Sequence, residues 1–266
     1  MHRHLPVIDA MRNLVDTASQ RVRRYACWLL IAGMFAGHAS GTALMDHAHA
    51  DKVFADARVA ALATAAGAGD TARVHALVAE GADPNAHGEH GVTPLEWALL
   101  QQNPDGLGAL LDAGARPEQP GIGGATVLHM AAMANDPTYL RILLDHGADP
   151  NAPHGITGAP PLAAALMNAR GDAFDLLLAH HADPDRADRL GNTPLHVAAQ
   201  VHKSAAVLRL LEAGANPALR NRHGDTFQAY FNVLPAGGLN PAAKAQHEQV
   251  KQWLRDHGVA VEGPTD

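Results

Sequence analysis

Apolar positions in this chain fall into short helical groups parted by polar turns, and the grouping recurs. Leu195 and Ala198 stand three apart on one helix face, and Val207 and Leu210 do the same on the next. A turn block then follows, Gly214-Ala215-Asn216-Pro217. It is preceded up the chain by Gly81-Ala82-Asp83-Pro84-Asn85, Gly114-Ala115-Arg116-Pro117, Gly147-Ala148-Asp149-Pro150-Asn151 and His181-Ala182-Asp183-Pro184-Asp185, at steps of 33, 33, 34 and 33 residues. A period in this range predicts stacked supersecondary units rather than one globular core.

A second mark keeps step with the first. Thr93-Pro94-Leu95-Glu96 is followed by Thr126-Val127-Leu128-His129, Pro160-Pro161-Leu162-Ala163 and Thr193-Pro194-Leu195-His196, with alanine pairs such as Ala131-Ala132 and Ala198-Ala199 behind them. Thr193 is a good N-cap, and Pro194 sits at the first helical position, where its missing N–H costs nothing. Gly214 falls where a left-handed residue closes the second helix. The paired signatures resemble the ankyrin repeat, T-P-L-H-x-A-A followed by L-L-x-x-G-A-D, over roughly residues 51–258. The resemblance implies an all-α solenoid in which each unit carries two antiparallel helices and a projecting hairpin-like loop.

Six units can be drawn, near 51–81, 82–114, 115–147, 148–181, 182–214 and 215–258, with 259–266 as a tail. The first has Ala60 and Ala61 in place of the Thr-Pro start, as a terminal cap would. In the last, Thr226 to Gly258 is 32 residues against 21 from Thr193 to Gly214, so about eleven residues are inserted around 235–240. Asn240-Pro241 restarts a helix. Phe227, Tyr230, Phe231 and Trp253 are expected to fill this enlarged cap.

Residues 1–50 read differently. Arg21, Arg23 and Arg24 precede an apolar run from Tyr25 to Gly37, and Ala48-His49-Ala50 is a small-residue cleavage motif. This is the order of a secretory signal peptide, with Met11 as an alternative start. It predicts a periplasmic chain beginning near Asp51; the rival is an uncleaved anchor in the inner membrane. The single cysteine, Cys27, lies inside this segment, so a processed chain has no disulfide. Without residues 1–50 the chain holds 15 basic and 24 acidic residues, a balance that argues against nucleic-acid binding.

Eighteen histidines raise the question of chemistry. His129 and His196 occupy the T-P-L-H position, where the resemblance implies a structural role. His87 and His90 share a loop tip, and His47 and His49 precede the expected cleavage point, but neither pair has a third ligand at metal-site spacing. No nucleophile elbow, phosphate loop or zinc-protease motif is present. The reading is a binding module with no catalytic residue, metal or cofactor, and a monomer. The alternative is a metal-handling or hydrolytic enzyme that uses the histidines.

By the resemblance, partner contacts fall on the loop tips and on the two residues after each alanine pair, facing the concave side. The tips are Glu89-His90, Ile122, Ile156, Arg189-Leu190 and Arg222-His223. Behind the alanines stand Leu100-Gln101, Met133, Met167-Asn168 and Val201. Leu100, Met133 and Met167 with Ile122 and Ile156 are expected to form an exposed apolar ladder for a protein partner. Arg186, Arg189, Arg220, Arg222 and His223 make the C-terminal end of the groove basic. Secreted bacterial proteins of this resemblance include immunity proteins against exported toxins and accessory factors for stress enzymes such as catalases.

Overall fold

The computed structural model describes residues 50–166, 171–233 and 238–262. Residues 1–49 of the expected signal segment, Met167, Asn168 and 235–237 of the inserted loop lie outside these. The described residues form helices and turns, with no strand among them. The helices are α1 (Ala50–Val53), α2 (Ala57–Ala68), α3 (Thr71–Ala79), α4 (Pro94–Leu100), α5 (Pro104–Asp112), α6 (Val127–Met133) and α7 (Thr138–Asp145). They continue with α8 (Pro161–Ala165), α9 (Asp172–Ala179), α10 (Pro194–Gln200), α11 (Ser204–Glu212), α12 (Gln228–Phe231) and α13 (Pro241–Asp256). None of them is long and apolar enough to cross a membrane.

The even-numbered helices α2 to α12 pack in chain order as one row, and the odd-numbered helices back them. Local chemistry sets each start. Thr93, Thr126 and Thr193 cap α4, α6 and α10 in reciprocal boxes with Glu96, His129 and His196. The first unit lacks the threonine, and Asp56 takes over by accepting from the amides of Arg58 and Val59. Asn240 caps α13 through the Ala243 amide at 2.8 Å, as its Asn-Pro start predicts. Gly147 ends α7 at φ 80°, a region where a Cβ is strained. At the same place in the fourth unit His181 holds φ 64° without being glycine.

One apolar column runs from Leu62 to Leu254 through all six units. Alanines let the rows approach: Ala131, Ala132, Ala164, Ala198 and Ala199 have no exposed surface. Each unit therefore buries its face only against its neighbours, and the array depends on contiguous stacking. Inter-unit clasps add polar specificity. The side-chain oxygens of Asn85, Asn151 and Asp185 accept from the amides of Arg116, Asp183 and Asn216, one unit on, at 2.7–2.8 Å.

Both ends are closed. At the N-terminal end, α1 and Phe54 stand where an interior unit would have its hairpin. Phe54 meets Trp97 edge-on at 6.1 Å, in a second cluster with Ala50, Val59, Ala63 and Val92. At the C-terminal end, Phe227 and Phe231 are buried and His247 stacks flat on Phe231 at 3.9 Å. Tyr230 and Trp253 are half-buried beside them. The start of the expected tail is pinned here: Gln228 donates to the Ala260 carbonyl and accepts from the Glu262 amide.

Candidate protein-binding surface

The hairpins are held from beneath, and the means changes along the chain. In the fifth unit Asp188 accepts from the amides of Leu190 and Asn192, both at 2.8 Å. In the sixth, Asn221 does the same for His223 and Asp225. In the fourth, the Nδ1 of His154 accepts from Ile156 and Thr157, which requires a neutral ring. The third unit has Gly121 at this place and no side chain to use. Glu96 of the second unit supplies the acceptor instead, with Oε1 taking the Ile122 amide at 3.0 Å. A Cβ on Gly121 would overlap that carboxylate. The glycine-rich tip is thus the complement of a glutamate in the preceding unit.

Glu96 stands where the third and fifth units place histidine, and the polarity of the strut inverts. His129 and His196 accept on Nδ1 from the Thr126 and Thr193 amides, so Nε2 carries the proton. It donates to the carbonyls of Ala159 and Asp225, at 2.9 and 3.0 Å, in the next hairpin. Burial dominates the titration of all these groups. It raises Glu96 to about 7 and pushes His129 and His154 down to about 4. His196 is also lowered, first by burial.

The tips lie along one edge, laced by backbone. Arg189 N donates to Thr157 O and Arg222 N to Leu190 O, each at 2.8 Å. Between the third and fourth tips the bond is Gly155 N to Gly124 O, shifted by one residue. The extra residue of the fourth unit lies in this hairpin arm, since Ile122 to Ile156 is 34 residues whereas Gly114 to Gly147 is 33. The Arg189 guanidinium adds a clamp, donating to the carbonyls of Ile156 and Gly155, each at 2.9 Å.

The tip residues reach solvent to different degrees. Glu89, His90, Arg189, Arg222 and His223 are exposed, Ile122 and Leu190 are half-buried, and Ile156 is 64% exposed. The described part of the expected ladder behind the alanines, Leu100 and Met133, does not stand free. Met133 is only 5% exposed and belongs to the core column. Its helix, the short α6, packs against both α8 and α7. Leu100, Gln101 and Val201 are half-buried. Among the described residues of the expected surface, the exposed large apolar side chain is Ile156 at a tip, and none stands free behind the alanines. Sequence reasoning passed over Glu96 and His154; the signal for Glu96 was a glutamate in the histidine slot.

No three His, Cys, Asp or Glu residues come together to hold a metal among the described residues. Glu96, His129, His154 and His196, whose titration burial displaces, serve as struts under the hairpins.

The pattern has counterparts among known proteins. The family model for ankyrin repeats (3 copies) matches residues 62–154 and 128–221. Protein PhlB of Serratia liquefaciens is 47% identical over 143 residues, 54% of this chain, and the chain spans 63% of PhlB's length. Among solved structures, the ankyrin repeat domain of Bcl-3 superposes with a TM-score of 0.61 at 29% identity, over 73% of this chain and 81% of that one. A chain in the complex of a predatory endopeptidase from Bdellovibrio bacteriovorus with an immunity protein superposes with a TM-score of 0.54 at 28% identity. The match takes in 74% of this chain and 97% of that one. With the repeating helix pairs, the capping boxes and the laced hairpins, these matches make the chain a member of the ankyrin-repeat family.

Proposed function

We propose that this chain is an exported, periplasmic binding module that engages one other exported protein and inhibits or assists it. It does so as a monomer and without chemistry of its own. The recognition is by a rigid scaffold: hairpins braced by Glu96, His129, His154 and His196 hold tip side chains in fixed places, so little conformational entropy is lost on binding. The observation that carries the reading is the likeness to nearly the whole of a chain from an endopeptidase–immunity protein complex. It favours an inhibitory or immunity role over an accessory one. The basic, apolar, small-residue order of residues 21–50 supports export.

The test is capture by the tagged chain in extract from the periplasm of its own cell, with N-terminal sequencing of the processed form. A stoichiometric exported partner and an N-terminus near Asp51 are expected. An intact chain in the cytoplasmic or membrane fraction would refute export. A processed chain that captures no stoichiometric protein would refute the binding role.

A further inference from the structure

The charge along the tip edge is graded. The tip of the second unit carries Glu89, those of the third and fourth carry Ile122 and Ile156, and those of the fifth and sixth carry Arg189 and Arg222. This basic end sits on a chain whose overall charge is −7. The carboxylates nearest to it are occupied within their own hairpins. Asp188 accepts from two amides and from the Asn192 side chain, and Asp225 accepts from the Tyr230 hydroxyl. Arg220 is held by the Gly224 carbonyl at 2.6 Å, and Arg189 by the fourth tip. Arg222 is held only through its backbone, and its side chain is exposed.

Beside these cations stands the most exposed large apolar side chain of the described residues. Ile156 is fixed on three sides. Its carbonyl takes the Arg189 guanidinium, its amide donates to His154, and its side chain lies over Gly124 so closely that a Cβ there would sit 2.9 Å from Cγ1. An isoleucine held rigidly in water gives nothing to the fold at its outer face, but it is an anchor that needs no ordering when a partner covers it.

We infer that the tip edge of the fourth to sixth units is the docking surface for an acidic segment of the protein partner, with Ile156 seated against an apolar residue and Arg189 and Arg222 facing carboxylates. This rests on the protein-binding role proposed above and names the chemistry of that partner. Arg222 lies two hairpins from Ile156, so the segment runs along the edge and does not enter the array. Opposite charge here sets orientation and association rate, while the apolar anchor limits dissociation.

The probe is a displayed random dodecapeptide library selected on the folded chain, followed by binding of the enriched peptides as fluorescent synthetics. Enriched sequences should be net acidic, with an apolar residue close to Asp or Glu, and should lose affinity with added salt. Arg222→Glu and Ile156→Asp should each weaken binding at least about tenfold, a change in K rather than a loss of fold. Circular dichroism and melting should match the parent, since both side chains are exposed. A peptide with lysine in place of the facing carboxylate should regain affinity for Arg222→Glu. Neutral or basic consensus sequences, binding indifferent to both variants, or no enrichment would overturn the inference. So would sedimentation with phosphatidylcholine–phosphatidylglycerol vesicles that depends on Ile156 and Arg222, because the edge would then face a membrane. None of these results touches the capture experiment, which tests the binding role on its own.

Discussion

Two glycines in one helix should respond to the same substitution with opposite signs. Gly106 and Gly108 both lie in α5, and alanine is the better helix former by about 1 kcal/mol at an interior position. At Gly108 a Cβ would find nothing within 4 Å, so Gly108→Ala should stabilise by up to about that amount. At Gly106 a Cβ would overlap the Ala66 carbonyl oxygen and come within 2.6 Å of its carbonyl carbon and 2.9 Å of its Cα. The obstacle is backbone in the last turn of α2 and cannot rotate away. The two helices would have to separate by roughly 1 Å, and a gap of that size forfeits up to half of each dispersion contact across it.

The interface that would open includes Leu62, Leu107 and Leu110, all without exposed surface. Overpacking of this kind costs about 1–3 kcal/mol, and backbone against backbone belongs at the upper end. After the helix-propensity gain, Gly106→Ala should lose about 2 kcal/mol. The two variants should then differ by about 3 kcal/mol, or roughly 10 °C in melting temperature for an array of this length. Urea unfolding followed by circular dichroism at 222 nm, with thermal melts in parallel, gives both values. A neutral or stabilising Gly106→Ala would refute the close approach of α2 and α5. A destabilising Gly108→Ala would show that its helix face is covered.

Gly147→Val should cost about 1–3 kcal/mol through backbone strain alone, because no atom lies within 4 Å of its Cβ position. His181→Gly, at the equivalent place, should stabilise by about 1 kcal/mol in the same melts. Glu96 is raised to about 7 in the fold, so its contribution is fully present below about pH 4.5 and is lost as pH rises through 7; Glu96→Gln should flatten that part of a stability–pH curve. His129 and His154 are depressed to about 4, so their contribution is present above about pH 6.5 and is lost as pH falls through 4; His129→Gln should blunt the acid side. Phe54→Ala should destabilise by about 3 kcal/mol by emptying the contact with Trp97, read by urea unfolding.

The parts of the fold that are local were legible. Thr193-Pro194 and Asn240-Pro241 announce helix starts because capping needs only a few neighbouring residues. The period itself located the hairpins, including the irregular fourth. What depends on the adjoining unit was not legible. Met133 follows Ala131-Ala132 and Leu100 follows the equivalent Ala98-Leu99, yet the first is buried in the core column and the second is half-open. Trp97 gave no sign that Phe54, 43 residues earlier, would close on it. Gly121 gave no sign that its constraint is the Glu96 carboxylate, 25 residues before it.

The last case says where recognition can reside. A hairpin tip projecting into water must satisfy its own amides or be held by another part of the chain. In every hairpin from the third to the sixth, the acceptor comes from below the tip: Glu96, His154, Asp188 or Asn221. The outermost side chains are then released from that duty. Ile122, Ile156 and Arg222 can change without loss of the turn, whereas their supports cannot. Burial enforces the division, since Glu96 is fully enclosed and Asn221 nearly so, while Ile156 and Arg222 face solvent. The exception is Arg189, which both clamps the fourth tip and presents its charge. Replacing it should disturb the placement of Ile156 as well as remove a cation, so its loss in a binding assay should exceed that of Arg222. Equal losses would mean that the clamp contributes nothing to holding Ile156 in place.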